Sequence, residues 1–128
     1  MKVTFLGTGT STGIPTIGVE RESCLSSDKR DNRLRSSILI EYKSKSILID
    51  CGPDFRQQML RINKTKVDAI FFTHEHADHT AGLDDIRPIS FHHGKIPIYA
   101  HQRVVDNLKS RFDYLFDKKG DYPGSPHV

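Results

Sequence analysis

Three histidines and one aspartate occupy six positions of the stretch FFTHEHADHTAGL, residues 71–83. His74 and His76 are two residues apart, so in an extended backbone their side chains point to the same side and can share one ion. Asp78 and His79 come after the chain turns, and as adjacent, diverging side chains they suit a second ion nearby. Neutral imidazole favours zinc and related ions, and a carboxylate also tolerates manganese. The four residues predict a metal site for Zn or Mn.

Two such ions at about 3.5–4 Å can share a hydroxide whose lowered pKa makes it a nucleophile at neutral pH. The apolar run DAIFF, residues 68–72, precedes the cluster and predicts a strand that is buried on both faces. Ligands bind beyond the carboxyl ends of strands in open α/β sheets. This position favours a metal site over a solvated polar loop with fortuitous histidines.

The remaining histidines carry weaker signals. His92 and His93 lie in FHHGK, a predicted loop, His101 follows a predicted strand, and His127 is next to the last residue. A histidine in such a position is more often exposed or hydrogen-bonded than a metal ligand. We therefore expect none of the four to bind the ions.

The rest of the chain supplies elements that would position the cluster. Hydrophobic periodicity and turn residues predict strands at 2–7, 36–42, 46–50, 68–72 and 96–100, and helices at 54–62, 80–86 and 102–116. Asp54 opens the first helix, Pro88 stops the second, and Gly120 and Pro123 close the third. Residues 7–35 form a long irregular excursion. This order predicts an α/β or α+β fold with a mixed sheet and flanking helices, in one domain spanning residues 1–128.

Composition narrows the class of protein. Hydrophobic residues make up 36% of the 128 residues and charged residues 27%, with a mean hydropathy of −0.49, which is typical of a soluble domain. No apolar run reaches the ~20 residues of a membrane helix, and the start is not a signal peptide, so a cytoplasmic protein without a membrane partner is expected. Cys24 and Cys51 do not form a disulfide framework. The net charge of +3 is scattered, which argues against a dedicated nucleic-acid face.

Three motifs together resemble the metallo-β-lactamase superfamily of metal-dependent hydrolases. They are T-H-x-H-x-D-H after an apolar strand, ILIDCGPDF at 47–55 and FLGTGTSTGIP at 5–15. The opening resembles the phosphodiesterase branch, with its ribonuclease Z-like proteins and the cyclic-phosphate phosphodiesterases of phosphonate breakdown. RLRSSILIE, GPDFRQQML and HTAGLDDIRP are more similar to the latter. The resemblance runs from residue 2 to about residue 126.

The resemblance implies roles for five residues. His74 and His76 would bind the first ion, and Asp78 and His79 the second. Asp50 would orient the loop or a ligand histidine, as carboxylates beside metal-bound imidazoles do. Asp78 and Asp50 are thus the candidate catalytic carboxylates. The expected substrate is a small phosphodiester or cyclic phosphate, with RNA less favoured.

The sequence departs from the family pattern near IGVERESC. Members of the phosphonate type often hold a structural zinc there with a cysteine cluster, whereas here Cys24 stands alone, with Val19 and Arg21 at positions where cysteines are expected. The glycine spacing of GTGTSTG does not fit a dinucleotide loop. The small residues are expected to let the first strand turn closely beside the metal site, with phosphate contact by backbone N–H groups as a lesser alternative.

The second departure from the family pattern is that the sequence matches only part of the family fold. The family fold is an αββα sandwich of two similar halves, and its later half supplies a third histidine, a bridging aspartate and a last histidine. The sequence matches the N-terminal half, so we expect half of a dinuclear site. The alternative is a catalytically incomplete metal-binding fragment that forms a homodimer or exchanges elements with a copy. Arg35 and Arg56 are conceivable phosphate contacts, although surface or salt-bridge roles are favoured.

Overall fold

A five-stranded sheet forms the centre of the molecule. The computed structural model describes residues 1–116. The strands lie in chain order: β1 (Lys2–Gly7), β2 (Ser37–Tyr42), β3 (Lys45–Ile49), β4 (Ala69–Phe71) and β5 (Ile98–Tyr99). β1, β2 and β3 pair antiparallel, whereas β3–β4 and β4–β5 pair parallel. The mixed sheet and the α/β class predicted from the sequence are confirmed.

Short helices connect the strands. They are α1 (Glu22–Leu25), α2 (Phe55–Arg61), α3 (Ala77–Thr80), α4 (Arg87–His93), α5 (Gln102–Arg111) and α6 (Asp113–Phe116), with 3-10 turns at Lys29–Asp31 and Leu83–Ile86. Across residues 1–116, no helix has the length and apolar character needed to cross a membrane. The predictions for β1, the β2–β3 hairpin and α2 agree with these bounds.

One face of the sheet packs against the helices. Leu39, Leu48 and Ile70 lie opposite one another on adjacent strands and are fully buried. Phe55 of α2 and Leu108 of α5 belong to the same buried cluster. Each strand places alternate residues on this face, so the apolar positions of β2, β3 and β4 build a single core.

The opposite face of the sheet carries a second apolar row, the outer row, formed by Phe5, Ile38, Ile49, Phe71 and Tyr99. Phe5 is 63% exposed, and the rings of Phe71 and Tyr99 stack at 4.7 Å while both remain exposed. The prediction that the strand at 68–72 is buried on both faces is therefore wrong. Among residues 1–116 the helices cover one face only, so the apolar run reflects two different environments.

The prediction for Pro88 is also wrong. Instead of stopping a helix, Pro88 lies in the first turn of α4, where the missing N–H costs no intrahelical hydrogen bond. FHHGK, a predicted loop, consequently contributes its first three residues to α4. The predicted helix 80–86 is instead the end of α3 followed by a 3-10 turn.

The C-terminal helical stripe is broken. The sequence predicts one helix over 102–116, whereas the structure has α5 and α6 separated at Phe112, whose backbone leaves the helical region with φ −129° and ψ 45°. The predicted strand 96–100 is reduced to β5. Gly120 and Pro123, expected to close the helix, lie outside the described residues.

Asp68, just before β4, links the strand to the β2–β3 hairpin. Its carboxylate accepts a hydrogen bond from the Ser46 N–H at 2.8 Å and pairs with Lys66 at 2.9 Å and Lys45 at 3.3 Å. Burial raises the pKa of Asp68, but the hydrogen bonds from Ser46, Lys66 and Lys45 outweigh it and hold the pKa below the ordinary value. The ionised carboxylate therefore stabilises the fold.

We expect Asp68→Asn to lower the free energy of unfolding by about 1 kcal/mol at neutral pH. Because the folded-state pKa is depressed, the stabilisation is present above the unfolded-state pKa and is lost as the pH falls through the folded-state value. Urea unfolding at several pH values should show the difference from the wild type shrink in acid. Glu20→Gln, at an exposed acid, is the control. An undiminished difference in acid would contradict this role for the Asp68 charge.

Candidate metal centre

The predicted metal motif begins where β4 ends. Residues 72–76 stay outside regular structure, and His76 occupies the N-cap position of α3 with an extended backbone, φ −61° and ψ 148°. Asp78 and His79 lie inside this one-turn helix. The chain therefore turns between the two pairs of candidate ligands, where the sequence predicts the turn.

The four candidate ligands come together in space. The ring centroids of His74 and His76 are 4.7 Å apart, and those of His74 and His79 are 4.0 Å apart. Asp78 Oδ2 lies 3.2 Å from His79 Nε2. The expectation that Asp78 and His79 diverge is wrong, because helical side chains lean toward the N-terminus and these two meet at their polar ends.

The candidate ligands do not form a complete shell. Among residues 1–116, no three His, Cys, Asp or Glu side chains are grouped closely enough to hold one ion. The rings of His74 and His79 are closer than those of His74 and His76, so the division of the four ligands between two ions stays a prediction. Four ligands are usual for zinc, so each ion would need partners from elsewhere.

Asp50 is the residue that joins this cluster to the sheet. Its side chain is 7% exposed and lies 2.7 Å from His79 Nδ1. The same carboxylate accepts hydrogen bonds from the backbone N–H and the hydroxyl of Thr73, each at 2.8 Å. Asp50 has a left-handed backbone with φ +60°, which is uncommon for a residue with a side chain. The surrounding contacts therefore hold it in a conformation that aims its carboxylate at the metal motif.

Two glycines let the segment after Asp50 touch α3. The Cys51 N–H donates to the His79 carbonyl at 2.8 Å, and the Gly82 N–H donates to the Cys51 carbonyl at 2.9 Å. A Cβ atom on Gly52 would lie 2.1 Å from the Asp78 carbonyl oxygen, and one on Gly82 would lie 2.0 Å from the Gly52 carbonyl oxygen. Neither position has room for a side chain.

Helix α5 holds the other side of the motif. Arg103 donates to the Glu75 carboxylate at 3.1 Å, while Arg111 donates to the Glu75 carbonyl at 3.1 Å and to the Thr80 hydroxyl at 2.9 Å. Thr80 in turn donates to the His76 carbonyl at 2.9 Å. Hydrogen bonding to its own backbone N–H, and next the charge of Arg103, keep the pKa of Glu75 below the ordinary value.

Sequence reasoning did not single out Thr73, Thr80, Arg103 or Arg111. The only local signal is that the two threonines flank the histidines. The arginines are far along the chain, in a helix recognised by its apolar stripe, and nothing in their spacing points to the motif. Their contacts depend on how α5 packs.

The side chains of the remaining histidines and cysteines make no contact with the candidate ligands within the described residues. His92 and His93 are exposed at the end of α4, and His101 caps α5, accepting a hydrogen bond from the Arg103 N–H at 3.3 Å. His127 lies outside the described residues. Cys51 is fully buried, and this burial raises the pKa of its thiol, which disfavours a thiolate ligand. Cys24 lies 3.5 Å from the Thr16 backbone nitrogen.

The two candidate phosphate contacts differ. Arg35 pairs with Asp54 at 3.0 Å and donates to the Ser11 carbonyl at 2.8 Å, so it has the salt-bridge role that the sequence favours. Asp54 lies at the N-cap position of α2 but makes no side-chain cap, because its carboxylate binds Arg35. Arg56 is exposed and lines a groove of about 400 Å³ between α2 and α4, which none of the candidate ligands lines.

The glycines of the opening loop allow close backbone packing against residues 33–35. Cβ atoms on Gly7 and Gly9 would meet backbone oxygens of residues 33–35 at 1.9 and 2.6 Å, and the Gly9 N–H donates to the Leu34 carbonyl at 2.7 Å. These glycines therefore pack the loop against the segment that leads into β2. A role beside the ions stays a prediction.

Comparison with known proteins places this arrangement in a family. Residues 45–127 match the model of the beta-lactamase superfamily domain, a range that includes β3, Asp50 and the whole metal motif. The chain belongs to this superfamily, and the resemblance stated from its motifs is confirmed.

Individual relatives refine the comparison. The chain is 47% identical over 127 residues to an octanoyltransferase of Porphyromonas gingivalis, covering 98% of this chain and 25% of that protein. It is 33% identical over 132 residues to ribonuclease Z of Methanococcus maripaludis, covering 99% and 37%. A crystal structure of a new diphosphatase from the PhnP family superposes with a TM-score of 0.86 and 49% identity, covering 89% of this chain and 46% of that one. The chain thus spans between a quarter and just under a half of these proteins.

The close contact at Gly52 yields a test of how the motif is held. Gly52→Ala places a methyl group against the Asp78 carbonyl, so we expect the free energy of unfolding to fall by about 1–3 kcal/mol, as overpacking costs in a core. Ser27→Ala, at an exposed position, is the comparison. Urea unfolding would contradict the contact if Gly52→Ala cost no more than Ser27→Ala.

Proposed function

We propose that this chain provides one half of the metal site of a metal-dependent hydrolase that cleaves phosphodiesters. The observation that carries the proposal is the gathering of four candidate ligands, His74, His76, Asp78 and His79, with His79 against the buried carboxylate of Asp50. Two divalent ions, Zn or Mn, are the proposed cofactors. In this proposal, other parts of the site come from residues outside those described.

The donor set fits divalent metal ions. Imidazole nitrogens and a carboxylate oxygen are the ligands that zinc and manganese accept in proteins. The Nδ1 atom of His79 is engaged by Asp50, which leaves its Nε2 atom, near Asp78 Oδ2, to face an ion. When bound, two such ions supply the Lewis acidity that activates water and neutralises charge on a phosphate.

The protein's own groups would keep this site rigid. Asp50 and Thr73 hold the motif to the end of β3, and Arg103 and Arg111 hold it to α5. Ligands fixed before an ion arrives need little reorganisation on binding. In this scheme Asp78 contacts an ion, whereas Asp50 acts through His79.

The names of the relatives support a phosphodiester substrate. A ribonuclease Z and a diphosphatase both act at phosphorus–oxygen bonds, and they match almost the whole of this chain. The octanoyltransferase also matches 98% of this chain but only 25% of that protein, so its name carries less weight because it also describes the three-quarters that this chain does not match. A small phosphodiester or cyclic phosphate is preferred to RNA, since the formal net charge is only +3 and the basic residues are scattered.

Removing one proposed ligand tests the mechanism. We expect His76→Ala, in a chain extended to the length of its relatives, to lose bound metal and reduce hydrolysis of bis-p-nitrophenyl phosphate to the background rate. His92→Ala removes an exposed imidazole at the end of α4 and should retain both properties. Metal content by plasma emission spectroscopy and phosphodiesterase rate are the measurements. Wild-type activity in His76→Ala would overturn the proposal.

The outer row favours a second candidate, a non-catalytic metal-binding module that associates with a copy of itself. Phe5, Phe71 and Tyr99 are 63%, 40% and 51% exposed on one sheet face. Contiguous apolar surfaces of this kind mark interaction sites.

This candidate predicts a concentration-dependent dimer of the 128-residue chain. Phe5→Glu should shift the chain toward monomer, because it places a charge in the outer row. Leu25→Glu changes a leucine that is 73% exposed in α1, away from the sheet, and should not shift it. Sedimentation velocity distinguishes the species, and a monomer at all concentrations would exclude this form of association.

A further inference from the structure

The hydroxyl of Thr73 lies between the carboxylate of Asp50 and the ring of His74. Its Oγ1 atom is 2.8 Å from Asp50 Oδ2 and 2.9 Å from His74 Nδ1. The Thr73 backbone N–H also donates to Asp50 Oδ1 at 2.8 Å. Two hydrogen bonds to one carboxylate fix the threonine, so its hydroxyl has a defined direction.

Counting protons assigns the direction of each hydrogen bond. A threonine hydroxyl has one hydrogen to donate, and an ionised carboxylate can only accept. The hydrogen of Thr73 must therefore point to Asp50, since otherwise two acceptors would face each other at 2.8 Å. The Thr73 oxygen can then only accept from His74, which requires the proton of that ring to be on Nδ1.

The same carboxylate contacts the His79 ring directly. Its Nδ1 atom lies 2.7 Å from Asp50 Oδ2 and must carry a proton to make a hydrogen bond there. The His74 ring then presents an unprotonated Nε2 atom, whereas His79 Nε2 lies 3.2 Å from Asp78 Oδ2, a second carboxylate that favours a proton there when no ion is bound. His76 is different, because among residues 1–116 no hydrogen bond reaches either of its ring nitrogens.

We propose that Thr73 is a positioning residue that relays the influence of Asp50 to His74, so that one carboxylate places a proton on the Nδ1 atom of two histidines. This inference rests on the proposed function only in treating those histidines as metal ligands. The Nε2 lone pair of His74 is prepared for an ion before it binds, and His76 keeps the choice of either nitrogen. Such outer contacts typically change metal affinity by about 10–100-fold when removed.

The backbone around Asp50 explains why this relay is rigid. The Asp50 N–H donates to the Phe71 carbonyl at 2.9 Å, extending the β3–β4 ladder. The hydroxyl of Ser37, itself buried, donates to the Asp50 carbonyl at 2.9 Å. The backbone of Asp50 is thus held by the sheet, while its carboxylate contacts Thr73 and His79 of the motif.

The test is nuclear magnetic resonance of the metal-free 128-residue chain, recorded at a pH where the imidazoles are neutral. Long-range ¹H–¹⁵N correlations of the imidazole rings report which nitrogen carries the proton. In the wild type we expect His74 in the Nδ1–H form, His79 with a proton on Nδ1 whatever the state of its Nε2 atom beside Asp78, and His76 as a mixture. A wild-type His74 with its proton on Nε2 would overturn the proposal without any variant.

Two substitutions separate the hydroxyl from the rest of the side chain. Thr73→Val has nearly the same shape but no hydroxyl, so His74 should lose its preference for the Nδ1–H form while His79 keeps it. Thr73→Ser retains the hydroxyl and should restore the wild-type spectrum. If His74 keeps its tautomer in Thr73→Val, the relay is wrong.

Metal titration adds an independent readout. We expect Thr73→Val to weaken Zn²⁺ binding by about tenfold, in the range for contacts of this kind, and Thr73→Ser to bind as the wild type does. Unchanged affinity in Thr73→Val would contradict the relay. If the chain binds no Zn²⁺ at all, the proposed metal site fails, but the tautomer spectra still decide whether Thr73 sets His74.

Discussion

The hydrogen bonds of one buried carboxylate, that of Asp50, organise the candidate metal centre. This group accepts from the N–H and hydroxyl of Thr73 and contacts His79, while its own backbone is bound to β4 and to Ser37. A buried carboxylate without such partners would be strongly unfavourable. Its burial and its left-handed backbone are consequently tied to the presence of the motif, and the motif to it.

Close backbone contact is the second constraint. Because Gly52 and Gly82 have no side chains, the segment after β3 lies directly against α3 and exchanges hydrogen bonds with it. On the far side, α5 contributes Arg103 and Arg111 to the same loop. The motif is therefore fixed from two directions, by a strand end and by a helix, although it is itself only a short loop and one helical turn.

Much of this follows from the sequence where the controlling interactions are local. Alternating apolar residues predict β1 and the β2–β3 hairpin, and the spacing of His74 and His76 predicts a shared face. Asp50 is predicted because it lies in the family motif ILIDCGPDF, although the histidine motif that it contacts is distant in the sequence. Pro88 is ambiguous in sequence, because a proline can stop a helix or lie in the first turn of the next one, as it does in α4.

The features that escaped prediction depend on distant parts of the chain. The exposure of Phe71 depends on whether the helices cover one face of the sheet or both, and the apolar run DAIFF is compatible with either arrangement. Thr73 and Arg111 look like ordinary polar residues in sequence. Their importance arises from distances across the fold, which no local pattern encodes.

Strand order in this sheet is the same as chain order, and that has a consequence for how the centre forms. Each strand pairs with its sequence neighbour, but only the β2–β3 hairpin is local, because long connections separate the other paired strands. Parallel pairs closed by such connections form slowly. Asp50 and the histidine motif follow β3 and β4, the first parallel pair in that series. The metal centre is therefore assembled by the docking of β4 on β3, and its ligand geometry reports whether that pairing has formed in register.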